Sequence, residues 1–261
     1  MTGLLGHDVL GADDAPPLIL GSSLGTTRDM WDPQRGVLSE RLRVIRYDHL
    51  GHGTSPVPVR PISMEELGRA VLELADHLGV TRFHYAGLSL GGMVGMWLAI
   101  NAPERIDRLV LLCTSAHLPP ADAWLERAQI VRQHGCAAIA DAVVDRWFTP
   151  SFAQARGDVV GPLKESLKAT PPVGYAACCE AIADMDLRTD LRKIRAPTLV
   201  IAGADDPATP ADGDARVIAT ATPVAQLAVV QHAAHLANVE QPGVVTRLIL
   251  DHLSPNTGAS R

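Results

Sequence analysis

Cysteine is scarce in this 261-residue chain: four residues, at positions 113, 136, 178 and 179, none in a CxxC. Cys178 and Cys179 are adjacent, a poor geometry for an ordinary disulfide. These spacings exclude a disulfide framework and disfavour zinc, so four free thiols are expected. His49 and His52 stand three apart in "DHLGHG", but no cysteine or carboxylate cluster joins them at metal-site spacing, and no metal is expected there. Long apolar runs are missing too, since nothing approaches the ~20 residues needed to cross a bilayer. The opening "MTGLLGHDVLGADD" lacks the basic start and apolar stretch of a signal peptide. Basic charge is also short: 23 Lys and Arg against 29 Asp and Glu give a net charge of −6. With no basic stripe to offset it, neither nucleic acid nor an anionic membrane is an expected partner. Repeats and low-complexity tracts are absent. A soluble, cytoplasmic chain of undetermined oligomeric state is the expectation.

What is present suits one large domain, or a domain carrying an insertion. Apolar residues make up 47% and charged residues 20%, enough for a sizeable core. Continuous apolar runs recur at 16–20, 42–47, 82–87, 108–113, 197–203 and 226–230. Such runs predict strands covered on both faces. Helical patterns lie between several of them. In "ISMEEL", Ser63 is placed to cap a helix and Glu66 to return the bond, with Gly79 as the stop. A last helix is predicted over 238–253, and the tail "SPNTGASR" is expected to fray. Alternating strands and helices predict an α/β fold with a mostly parallel central sheet and flanking helices. Only the stretch from Pro119 to Arg195 breaks the alternation, with helix-like patterns and no strand. The predicted division is therefore a core of 1–118 with 196–261, and an all-helical insertion over 119–195.

Chemistry concentrates at "HYAGLSLGG", 84–92. Gly87-Leu88-Ser89-Leu90-Gly91 is a Gly-x-Ser-x-Gly pattern at a strand-to-helix joint, the setting of a nucleophile elbow. The glycines fit a turn too sharp and too crowded for a Cβ, and the serine would sit where amides can stabilise negative charge. The plainer alternative is a Gly/Ser turn that merely joins two elements. A reactive serine needs a base, itself oriented by an acid, and in this architecture acid then histidine follow in chain order. "GADDPATP" after the 197–203 run offers Asp205 and Asp206; "QHAAHLANVEQP" after the 226–230 run offers His232 and His235.

The chain resembles the α/β-hydrolase family over nearly all its length, and most closely the 3-oxoadipate enol-lactonases. The resemblance is carried by "SSLGTTRDMWDPQ" (22–34), "RYDHLGHGTSP" (46–56), "AGLSLGGMVG" (86–95), "RWFTP" (146–150), "ATPPVGYAACCEAI" (169–182), "TLVIAGADDPATP" (198–210) and "AAHLANVEQP" (233–242). It selects Asp206 as the acid and His235 as the base, leaving Asp205 a solvated neighbour, His232 without a task and His84 a packed sheet residue. It implies an oxyanion hole from the backbone amides of Leu90 and, counting back from Trp31, Leu24. Two departures stand out. Leu50 occupies a position usually held by arginine, and before Pro16 there is room for one strand rather than a hairpin.

The implied reaction is opening of an anionic enol-lactone to 3-oxoadipate in the breakdown of aromatic acids, with no cofactor. A carboxylesterase or a cofactor-free perhydrolase on the same triad is the alternative. The insertion would cap the pocket, with Trp124, Trp147 and Phe148 as candidate walls. Arg127, Arg132, Arg146, Lys164 and Lys168 are candidate cations for the substrate carboxylate, with Trp124, Arg132 and Trp147 put forward as substrate-binding residues.

Overall fold

Runs that are apolar on both faces suit a sheet covered on both sides, and five of the six lie there; the sixth, 226–230, forms a half-exposed edge strand. The computed structural model describes residues 3–254, so all of the tail beyond Ser254 falls outside the described residues. The strands are β1 (His7–Leu10), β2 (Pro17–Gly21), β3 (Arg43–Tyr47), β4 (Phe83–Leu88), β5 (Ile106–Leu112), β6 (Thr198–Gly203) and β7 (Ala225–Val230). They form one sheet in the order β1-β3-β2-β4-β5-β6-β7. Every pairing is parallel except β1 with β3, so the single strand before Pro16 is an antiparallel edge.

Helices α1 (Asp32–Ser39), α2 (Met64–His77) and α3 (Leu90–Asn101) accompany the first strands. The capping box opens α2: Glu66 N–H donates to Ser63 Oγ at 3.2 Å, and Ser63 N–H to Glu66 Oε2 at 3.0 Å. Leu67, Ala70, Val71 and Leu74 bury one face, and Gly79 leaves the helix at φ 69°. Between β5 and β6 the chain forms α4 (Ala121–His134), α5 (Ala140–Trp147), α6 (Pro150–Ala155), α7 (Gly157–Ala169) and α8 (Pro172–Ala183), with no strand among them. Most of α8 is buried, because it packs against α4 on one side and the loop after β3 on the other. A Cβ on Gly174 would stand 2.4 Å from Gly51 Cα. The chain closes with α9 (Arg216–Ala221), α10 (Ala237–Glu240) and α11 (Pro242–Leu253).

The last helix is thus two helices rather than one. Gln241 sits at φ −125° and ψ 57°. A residue before proline is pushed out of the helical region, so the break falls immediately ahead of Pro242. Among the described residues no helix is long and apolar enough to cross a membrane.

Helix α3 crosses the end of β2 so closely that a Cβ on Gly91 would lie 2.3 Å from Gly21 O, whereas Gly36 in α1 faces open space. Gly36→Ala should stabilise the protein by about 0.5–1 kcal/mol, since alanine loses less entropy in a helix. Gly91→Ala should destabilise it by at least about 1–3 kcal/mol through overpacking. Thermal melts check both signs.

Candidate active site

The parallel strands deliver their loops to one edge, where open α/β sheets carry their sites. At the end of β4, Ser89 is held at φ 56° and ψ −114°. This is a left-handed backbone that few non-glycine residues adopt. The turn is pinned by Ser89 N–H to Leu112 O at 2.9 Å and Thr114 Oγ1 to Ser89 O at 2.7 Å. A Cβ on Gly87 would meet Gly91 O at 2.2 Å, which is why the frame is glycine.

After β6, Asp206 is buried while Asp205 is exposed. Asp206 Oδ1 accepts the amides of Ala208 and Thr209 at 2.8 and 3.1 Å, and Oδ2 accepts Thr209 Oγ1 at 2.7 Å. The loop after β7 brings His235 Nδ1 to the same Oδ2 at 2.9 Å. A carboxylate that only accepts fixes the tautomer: Nδ1 carries the proton and Nε2 is left to act as a base. Burial opposes the charge on Asp206, yet the His235 imidazole and these donors together hold its pKa at about 2. His232 is exposed and makes no side-chain bond to Asp206, and His84 is buried in β4.

The loop after β2 lies beside the elbow. Ser22 O accepts Gly91 N–H at 3.0 Å and His49 Nε2–H at 2.8 Å. Ser23 N–H donates to Met30 Sδ at 3.2 Å, and Gly25 N–H to His52 Nε2 at 3.0 Å. The amides of Leu24 and Leu90 have no protein acceptor among the described residues, although those on either side of each are engaged.

Ser89, His235 and Leu24 line a cavity of about 180 Å³ beneath the helices of the insertion. Trp124 and Trp147 are in its wall, but Phe148 is not and stacks instead on Phe152 with ring centroids 5.4 Å apart. Of the candidate cations, Arg127 and Arg146 reach the cavity. Arg132 does not: it forms a fork to Glu180 across α4 and α8, with Nη2 to Oε2 at 2.8 Å. Lys164 pairs with Asp141, and Lys168 with Glu165 at 2.8 Å. Tyr175 and Thr209 also line the cavity. Neither carried any sequence signal, because a tyrosine in an apolar helix and a threonine in a loop look like packing and capping.

A sequence profile for the α/β hydrolase fold matches residues 16–135. The chain is 41% identical to 3-oxoadipate enol-lactonase 2 of Acinetobacter baylyi over 91% of its own length and 88% of the relative's. It is 31% identical to the Stutzerimonas stutzeri protein RutD, named for carbamate hydrolysis, over 94% of both chains. The solved enol-lactonase of Burkholderia xenovorans LB400 superposes with a TM-score of 0.94 at 37% identity, covering 96% of each chain. The chain belongs to the α/β-hydrolase family. Kinship at this level makes it a hydrolase.

In this hydrolase the two histidines after β3 brace the loop beside the elbow. Among the described residues no three His, Cys, Asp or Glu side chains converge as ligands. Burial, together with the neighbouring His52, pushes the His49 pKa down to about 3; burial pushes His52 down to about 4. Both are neutral, and His52 must be, since its Nε2 accepts from Gly25. Leu50 between them is buried, with its carbonyl accepting from His52 Nδ1 at 3.2 Å and from the Cys178 thiol at 3.7 Å. A shorter uncharged side chain fits this position because α8 lies directly over it.

The unfolded chain protonates these imidazoles near their ordinary value of 6.5, whereas the folded chain resists until about 4 and about 3. Their contribution is therefore complete above pH 6.5 and is lost progressively as the pH falls toward 3. Asp206, ordinarily 3.8 and here about 2, adds a second loss at lower pH. Urea midpoints should fall between pH 7 and pH 4.5, and His52→Gln should flatten the slope; a midpoint constant over that range would contradict the assignment.

Proposed function

We propose that this hydrolase opens 3-oxoadipate enol-lactone, a small lactone bearing a carboxylate, to 3-oxoadipate. The observation that carries the reading is the charge of the cavity. Arg127 and Arg146 face it without an ion-pair partner, and no carboxylate lines it among the described residues. Burial first, and then the nearby Arg127 charge, lowers the Arg146 pKa. A carboxylate entering between them would relieve that repulsion and accept charge-assisted hydrogen bonds. Size agrees: a cavity of about 150 Å³ holds benzene, so about 180 Å³ suits a five-membered ring with a short arm. The enol-lactonase relatives point the same way. A general carboxylesterase has no need of two unpaired guanidiniums.

The chemistry follows from the three side chains. His235 Nε2 removes the proton from Ser89 Oγ, which attacks the lactone carbonyl. The amides of Leu24 and Leu90 stabilise the oxyanion. Collapse breaks the ring C–O bond, and His235 returns the proton to the departing enol oxygen, a better leaving group than an amine. Water deprotonated by His235 then attacks the acyl-enzyme; the acyl C–O bond to Ser89 breaks, His235 returns that proton to Ser89 Oγ, the acid is released, and the enol tautomerises to the ketone. Asp206 stays ionised throughout, orienting the imidazole and stabilising its cation. Arg127, stacked on Trp124 at 4.5 Å, and Arg146 hold the remote carboxylate. Trp124 and Trp147 keep water from the ring. A cytoplasmic setting accords with four buried, unpaired thiols.

Loss of enol-lactone absorbance tests the reading. Ser89→Ala should lower kcat by several orders of magnitude. Arg127→Gln and Arg146→Gln should each raise KM by about 10–100-fold, the equivalent of one charge-assisted bond of ~1.5–3 kcal/mol. Turnover of neutral aryl esters, unaffected by the arginine variants and exceeding that of the lactone, would favour a simple esterase instead.

A further inference from the structure

Glu240, in α10, is a buried carboxylate with no cationic partner among the described residues. Its oxygens serve two different parts of the molecule. Oε1 accepts Thr149 N–H at 2.9 Å and Thr149 Oγ1–H at 2.7 Å. Oε2 accepts Ala234 N–H at 2.5 Å. Thr149 follows Trp147 and Phe148 at the start of α6, so one oxygen holds the strap that carries a cavity wall. Ala234 immediately precedes His235, so the other oxygen holds the loop that carries the imidazole. On the far side of His235, Leu236 N–H donates to Trp147 O at 2.9 Å. Both amides flanking His235 are thus tied to the same strap, one directly and one through Glu240.

Removing a carboxylate from water is costly, and three neutral donors on one such group imply a geometric requirement. A carboxylate alone meets it. Glutamine has a single oxygen and would have to present its NH₂ to either the Thr149 or the Ala234 donor. We propose that Glu240 is a positioning residue that locks the cap strap to the His235 loop and so keeps the imidazole in register with Ser89. The proposal rests on reading Ser89 and His235 as nucleophile and base. Its consequence is that the strap, itself held by the helices of the insertion, sets the position of the His235 loop, so loosening Glu240 displaces the imidazole and leaves the cavity wall in place.

The test measures kcat, KM and melting temperature for the parent, Glu240→Gln, Thr149→Val and Ser89→Ala on the enol-lactone. Well below every melting transition, Glu240→Gln should lower kcat by about 10–100-fold with KM held within about threefold, the effect of misplacing a base without altering ground-state binding. Thr149→Val, which removes one of the three donors and keeps the fold, should show the same pattern at about two- to fivefold. The proposal is overturned if both variants keep the parent kcat below their melting transitions, whatever happens to Tm, or if KM rises while kcat holds. A parent no faster than Ser89→Ala would instead remove the reading of the triad, a result that does not depend on Glu240.

Discussion

Everything at the sheet edge depends on one strained residue. Holding Ser89 at φ 56° costs about 1–3 kcal/mol, and the surroundings leave it no alternative. Gly87 and Gly91 let strand, turn and helix approach to distances a Cβ would forbid, and Gly91 is itself pressed against Gly21. The same contact joins the elbow to the neighbouring loop, because Ser22 O takes the Gly91 amide. The serine and the two unoccupied amides of Leu24 and Leu90 are consequently parts of one rigid body. Behind it, His49 and His52 brace the loop as neutral groups, a state that their burial enforces.

Against that rigid edge the helical insertion supplies what the sheet cannot: enclosure and positive charge. The chain as a whole carries a net charge of −6, an unfavourable field for an anion. Local geometry reverses it. Elsewhere on the insertion Arg132, Lys164 and Lys168 are each paired with a carboxylate, whereas Arg127 and Arg146 face the cavity without an ion pair among the described residues. The proposed selectivity for a carboxylate-bearing lactone comes from this contrast rather than from overall charge. Through Thr149, Glu240 and Leu236 the insertion also grips the loop of His235, so the cavity wall and the proposed base are tied together.

The strands were readable because a buried parallel sheet demands runs apolar on both faces, and the start of α2 because Ser63 and Glu66 must stand three apart to cap each other. The serine elbow was readable for the same reason: glycine spacing is dictated by close approach. Choices between neighbours were not. Asp205 and Asp206 differ by one position, and only the turn at 206–209, with its amides aimed inward, separates a buried carboxylate from a solvated one. The five candidate cations were indistinguishable because periodicity shows which face a residue occupies, not what stands opposite. Arg132 finds its partner 48 residues away at Glu180. The break at Gln241 was hidden by an apolar pattern that continues on both sides of Pro242. The role of Glu240 is not legible in the sequence, since a lone glutamate reveals nothing of the three donors around it.

The most direct test of the account is the site and selectivity of covalent capture. The folded protein would be treated with a small fluorophosphonate at neutral pH, digested and mapped by mass spectrometry, with and without adipate as a competing dicarboxylate. A single adduct on Ser89 is expected, slowed by adipate, with Ser22, Ser23 and Ser115 unmodified and with labelling nearly abolished in His235→Gln. Modification at another serine, or capture of Ser89 at the same rate without the imidazole, would contradict it.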